Sequence, residues 1–272
     1  MTRLVNKRPG RGHILFLGLL PFVLVTVAYL IASDARLSEN PNDKLLPSLS
    51  SFGAAIERMA LKPDPRSGAY LWWSDTWASL VRLGIGLAIA TGMGLIVGIA
   101  LGLIPYLRAA FQPFVAVLSL IPPLAILPIL FIVFGLGEVS KIVLIVFGIA
   151  PFMMRDIAIA VAAIPRELVI KAQTLGANSW QIATRLALPL ALPRLIATLR
   201  LSLGPAWLFL IASEAIAATD GLGYRIFLVR RYLAMDVILP YVAWITLLAF
   251  VMDMLLARAA VRAFRWTGEE GR

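Results

Sequence analysis

The feature that most constrains this chain is a recurring apolar stretch about 20 residues long, the length a helix needs to cross roughly 30 Å of hydrocarbon with every backbone group bonded internally. Such stretches run near His13–Ala32, Leu80–Leu103, Gln112–Phe134, Val139–Ala160, Leu195–Ala217 and Ile238–Ala257. With 60% hydrophobic residues and a mean hydropathy of +0.88, the surplus over the roughly 45–50% of an average soluble domain has nowhere to hide in water. The expected fold is all-α: a polytopic membrane helix bundle of about six transmembrane helices.

A net charge of +10 in a soluble protein would raise nucleic-acid binding. Here the basic residues gather at helix ends, and no basic run with interleaved aromatics lies in a soluble segment, so nucleic acid is not an expected partner. With both termini inside, the inner face collects 15 of the 25 basic residues: Arg3, Lys7, Arg8, Arg11, Arg108, Arg155, Arg166, Lys171, Arg185, Arg194, Arg200, Arg258, Arg262, Arg265 and Arg272. The other ten, Arg36, Lys44, Arg58, Lys62, Arg66, Arg82, Lys141, Arg225, Arg230 and Arg231, fall outside or at outer helix ends. That bias places both termini in the cytoplasm of a bacterial inner membrane.

The absence of cysteine excludes disulfides, thiolate metal sites and cysteine nucleophiles. One histidine, His13, cannot build a His-rich metal site and reads as interfacial. An enzyme needs converging nucleophiles, acids or metal ligands, which the scattered carboxylates do not supply; no catalytic, metal or cofactor site is expected.

The organisation follows from the spans. Residues 1–12 form a basic cytoplasmic tail, and 13–32 a first transmembrane helix, too long for a signal-peptide core and expected to be a retained anchor. Residues 33–76 form an external loop with Pro41, Pro47, Pro63 and Pro65, in which Leu49, Phe52, Ile56 and Met59 at helical spacing predict a short interfacial helix. Residues 77–260 form a five-helix core, and 261–272 a cytoplasmic tail. Ala90, Gly94, Gly98 and Gly102 recur every four residues, a flat stripe for close helix contact. Pro122, Pro123 and Pro128 interrupt the third span, which points to a buried or water-facing break there.

Ile164 to Pro193 is the one long polar segment on the inner face. Pro165 starts a helix with Glu167 at its positive end, and Gly176 suits the left-handed position that stops it. Asn178 or Ser179 then caps a second short helix carrying Trp180, Ile182 and Ala183, which Pro189 and Pro193 are expected to end. The result is a helix–turn–helix across the cytoplasmic mouth.

The spacing of Ala172, Leu175-Gly176-Ala177, Trp180, Leu188-Pro189 and Leu192-Pro193 resembles the EAA loop of ABC-importer permeases. The likeness runs over about residues 45–265 and is nearest to the nitrate/sulfonate/taurine class, through Leu46-Pro47-Ser48, Ile121-Pro122-Pro123-Leu124-Ala125, Phe134-Gly135-Leu136-Gly137-Glu138 and Gly221-Leu222-Gly223-Tyr224. The resemblance implies a cytoplasmic coupling helix within a loop at 164–193, with Lys171, Ala172, Leu175, Gly176, Ala177, Ser179 and Trp180 facing an ATPase subunit. It further implies a homodimer, two ATPase copies and a periplasmic or lipid-anchored solute-binding protein. Ile170 and Lys171 depart from the family's Glu-Ala. No G-x-x-x-x-G-K-[ST] pattern occurs, so ATP hydrolysis is expected on a separate chain.

Acids inside spans are candidates for a substrate path. Asp156 and Asp253 lie near inner helix ends, where Arg155 and Arg258 would offset them. Glu214 and Asp220 are the better candidates for lining the path. An acid pair favours a cationic or amine-like solute, whereas Arg225, Arg230 and Arg231 nearby suit an anion. The Asp220 segment also resembles a branch associated with urea- or guanidine-like nitrogen compounds. An ion-coupled secondary transporter would carry paired internal repeats, which are not seen; a non-transport scaffold would not need the shaped inner loop.

Overall fold

The structure, a computed structural model, describes residues 10–41, 43–65 and 67–267. The expectations for Arg3, Lys7, Arg8, Arg66 and Arg272, and most of both tails, lie outside the described residues. All regular structure among the described residues is helical. Five helices are long and apolar enough to cross a membrane: α1 Arg11–Glu39, α3 Leu71–Leu103, α6 Glu138–Ala162, α9 Leu188–Ala217 and α11 Met235–Ala263. Between them lie α2 Leu49–Ile56, α4 Pro105–Leu118, α5 Leu127–Phe134, α7 Arg166–Thr174, α8 Ser179–Ile182 and α10 Leu222–Arg230.

The third span is broken. Helix α4 and the segment Pro123–Phe134, which ends in α5, meet at an 80° bend, so Gln112–Phe134 is not one straight helix. Pro122 and Pro123 have no N–H to continue the ladder, and the residue before each proline is driven from helical geometry; Pro122 itself is extended.

The core is a close pair, α3 on α6, with α9 against α6 and α11 against α9. The small-residue stripe makes that pair. A Cβ on Gly86, Gly94, Gly98 or Gly102 would lie 2.8, 2.6, 2.7 and 2.5 Å from Ile145, Met153, Ile157 and Val161 respectively. Those partners are likewise spaced in multiples of four residues, so one ridge of apolar side chains packs into a groove lined by glycine.

Helix α1 runs past the expected 32 to Glu39 and stands apart from this core. Its C-terminal part is tied down by Tyr29 and Ser33, whose hydroxyls donate to the carbonyls of Pro47 (2.6 Å) and Leu46 (2.9 Å), and by Arg36 to Asp43. Helix α2 packs on α11, and Tyr29 meets Phe52 with ring centroids 5.9 Å apart.

Two expectations need correction. Pro189 and Pro193 do not end the second inner helix; residues 179–217 form one continuous helical run. A wide turn at Ala183–Ala187 lets the Leu188 N–H reach back five residues to Ala183, which rearranges the carbonyls just where Pro189 withdraws a donor. Asp156 pairs with Arg194 (2.5 Å) and Asp253 with Arg200 (2.7 Å), not with Arg155 and Arg258. Successive helical residues point about 100° apart, so Arg155 faces away from its neighbour's partner while α9 offers arginines at the right level.

Candidate functional site

Two places concentrate chemistry, one at each end of the bundle. At the end expected to be outer, α3, α6, α9 and α10 converge on Arg82. This guanidinium donates to Glu214 Oε1 (2.8 Å), Asp220 Oδ1 (2.5 Å) and Glu138 Oε1 (2.9 Å), and to the Asp220 carbonyl (3.1 Å). Lys141 also donates to Glu138, at 2.9 Å. Glu214 is fully enclosed, 0% exposed, and takes further hydrogen bonds from the Ser79 hydroxyl (2.8 Å) and the Gly223 N–H (2.8 Å). Asp75, equally buried, accepts from Arg225 (2.7 Å), Tyr241 (3.3 Å) and the Gly221 N–H (3.0 Å).

The Leu222 N–H donates to Ser79 (2.9 Å). Three successive N–H groups at the start of α10 are thereby received by acceptors on α3 and α9, satisfying donors that a helix start leaves unpaired. Gly221 makes this possible: its φ is +110° and an added Cβ would lie 2.5 Å from Glu214 Oε1 and 2.8 Å from Arg82 Nη1. Only a residue without a Cβ fits there.

The two expected path acids are therefore brought together, but on one cation. Glu214 presents no surface in this conformation; Asp220, its side chain 47% exposed, and Glu138, 56% exposed, face outward. Arg82 shares its single positive charge between Glu214 and Asp220, and with Lys141 beside Glu138 the cluster keeps one net negative charge, so the Coulomb case for a cationic solute that rested on this acid pair is weakened but not removed. Asp75, Ser79, Arg82, Glu138, Lys141 and Tyr241 were not singled out from sequence as parts of this site, and Arg225, read as suiting an anion, is instead paired with Asp75. The available signal was a charge within an apolar helix, hidden by starting the second span nine residues late, at Leu80 instead of Leu71.

At the other end, α7, Gly176 and α8 form the helix–turn–helix expected at the inner face. Gly176 has φ +80° with nothing within 4 Å of a built Cβ; the Gly176 N–H donates to Gln173 (2.9 Å) and the Ala177 N–H to Ala172 (3.0 Å), closing the first helix. Asn178 is the N-cap of α8: its side chain accepts from the Gln181 N–H (2.8 Å), and Gln181 Oε1 accepts from the Asn178 N–H (2.9 Å), a reciprocal capping box. Lys171 and Ser179 are exposed, and Ala172 and Ala177 half-buried. Leu175 and Trp180 stand out at 80% and 75% exposure. Two large apolar side chains thus stand exposed on one capped turn.

Residues 71–265 match the family described as "Binding-protein-dependent transport system inner membrane component". The taurine transport system permease protein TauC of Escherichia coli is 40% identical over 198 residues, 72% of each chain. The riboflavin transport system permease protein RibX of Chloroflexus aurantiacus is 36% identical over 196 residues, 71% of this chain and 73% of that one. A putative aliphatic sulfonates transport permease protein of Bacillus subtilis is 25% identical over 230 residues, covering 84% and 79%. The fold is shared with an inward-facing MetNI methionine ABC transporter structure (TM-score 0.63, 23% identity, 74% of this chain and 99% of that one). It is shared also with a bacterial ABC transporter that imports alginate (TM-score 0.64, 16% identity, 93% and 96%).

Proposed function

The chain belongs to the family of binding-protein-dependent transport system inner membrane components, multi-pass permease subunits of ABC importers, and on that premise we propose a division of labour between its two ends. The inner loop docks an ATPase carried on a separate chain. Leu175 and Trp180 are the apolar anchors, Gly176 sets the turn between them, and Lys171, Ala172, Ala177 and Ser179 complete the contact. Two copies of this chain enclose the path, served by two ATPase copies and an external solute-binding protein, with both termini in the cytoplasm.

The observation that carries this reading is the pairing of rigid local capping with exposed Leu175 and Trp180. A loop with no partner would gain nothing from holding a tryptophan in water, and buried aromatic anchors supply much of the energy at protein interfaces.

At the outer end, Arg82 and Glu214 hold α3, α9 and the start of α10 together as one unit, while Asp220 and Glu138 face the side from which the solute arrives. The solute is small and polar. The relatives named for taurine and aliphatic sulfonates favour a sulfonate-like compound over a urea- or guanidine-like one.

The test is co-purification of the tagged chain from its own cells, wild type against a Leu175→Ala/Trp180→Ala double variant, with bound chains identified by mass spectrometry. A stoichiometric ATPase that is lost from the variant, with the permease still inserted, supports the reading. An ATPase retained undiminished by the variant, or absent from both samples, overturns it.

A further inference from the structure

Six basic side chains lie on α3, α4, α6 and α9: Arg82, Arg108, Lys141, Arg155, Arg194 and Arg200. Arg82, Lys141, Arg194 and Arg200 each make an ion pair with a carboxylate. Arg108 and Arg155 have no carboxylate partner among the described residues, and both border the same pocket, of about 120 Å³, between α3, α4 and α6 near their inner ends. Its floor is apolar and buried, formed by Leu101, Val115 and Ala158, and Gln112 lines it along with the two arginines.

Both guanidiniums are held in place by neutral groups. Arg108 donates from Nε to the Leu101 carbonyl (2.9 Å) and from Nη2 to that of Gly102. Arg155 donates from Nη1 to Ser119 Oγ (2.6 Å), at the break between α4 and α5. Each keeps N–H donors that no described protein group takes. Two like charges pinned around one small pocket repel each other, and an anion between them relieves that repulsion. The planar fork of arginine matches the oxygens of sulfate, sulfonate and phosphate, and the Gln112 amide adds a neutral donor.

We propose that Arg108, Arg155 and Gln112 form a binding pocket for a tetrahedral oxyanion at the inner end of the bundle. The volume admits one such head group. A free sulfate-, sulfonate- or phosphate-bearing solute and a phospholipid head group share this chemistry. The site requires neither ATPase docking nor a particular transported solute, so it stands or falls apart from the reading above.

The test uses the full chain in a phosphate-free maltoside detergent, with thermal unfolding followed against sodium sulfate and against sodium chloride at equal ionic strength. Sulfate is expected to raise the wild-type Tm beyond chloride. The half-saturating sulfate concentration is expected to rise at least about tenfold in Arg155→Gln and to stay within about twofold in Arg262→Gln, an inner-end control outside the pocket. Arg155→Lys, which keeps the charge and removes the fork, is the second variant if Arg155→Gln fails to fold; it is expected to weaken sulfate about threefold.

A second arm adds phosphatidylglycerol and counts retained lipid by native mass spectrometry. Lipid retained by wild type and lost from the Arg155 variant, with no sulfate response, assigns the pocket to a lipid phosphate and upholds it. No specific sulfate response and no Arg155-dependent lipid, or responses unchanged in the Arg155 variants, overturns the proposal.

Discussion

The two ends of this molecule use polar residues in opposite ways. The end built around Arg82, expected to be outer, encloses them: Arg82, Glu214, Asp75 and Ser79 are buried, and their contacts reach α3, α6, α9 and the start of α10. The loop expected at the inner end leaves Leu175 and Trp180 exposed and holds its shape by contacts within a few residues, Gly176 to Gln173 and Asn178 to Gln181. The difference teaches where rigidity comes from in each case. The outer cluster is rigid because separate helices must agree, so damage there is damage to the bundle. The loop is rigid by itself, so damage there should leave the bundle standing and remove only what the loop touches.

The sharpest way to break this contrast is Arg82→Met. It strands Glu214 in an enclosed site beside Asp220 and Glu138, and removing one partner of a buried pair costs about 3–5 kcal/mol. Loss of monodisperse protein on size-exclusion chromatography, or a collapsed Tm, is the expected result; wild-type behaviour would mean that the cluster is not what holds the outer end.

Next in size is Gly98→Val. Its Cβ would sit 2.7 Å from that of Ile157, and overpacking of this kind costs about 1–3 kcal/mol. Adding Ile157→Ala should recover part of the lost Tm, and a double variant no better than the single one would place the damage elsewhere.

At the inner end, Gly176→Val forces a β-branched residue to φ +80°, a strain of about 1–2 kcal/mol confined to an open turn. Solute uptake should be abolished while membrane insertion and bundle Tm change little; uptake at the wild-type rate would refute the role of the turn. The smallest effect is expected from Asn178→Ala, which removes the capping box for about 1 kcal/mol. Uptake should fall a few-fold, and a fall as deep as that of Gly176→Val would show that the cap and the turn are not separable.

The same contrast explains what could be read from the amino-acid sequence. Gly176 and the Asn178 cap were legible because their signals are local: a glycine after a helical run, an Asx residue before the next. The Gly94, Gly98 and Gly102 stripe was legible as a flat face, although not that α6 fills it with Met153, Ile157 and Val161. The Arg82–Glu214 pair joins residues 132 apart, and no periodicity relates them. Asp156 was matched to its sequence neighbour Arg155 when the partner is Arg194, 38 residues on; charge proximity along a chain is a poor guide once helices rotate successive side chains apart. The continuous helix through Pro189 depended on a wide turn at Ala183–Ala187, which side-chain pattern does not announce.

The claim that the inner loop is the docking surface has a direct test, made clean by the absence of cysteine from the chain. Leu175→Cys in the loop and Tyr232→Cys, at an exposed outer position, would each be treated with a short bifunctional maleimide–amine reagent in membranes containing the whole transporter. A cross-linked product of permease plus ATPase from Cys at 175 and none from Cys at 232 is the expected result. No such product from position 175, or an equal product from both, would contradict the docking of Leu175 and Trp180 on an ATPase.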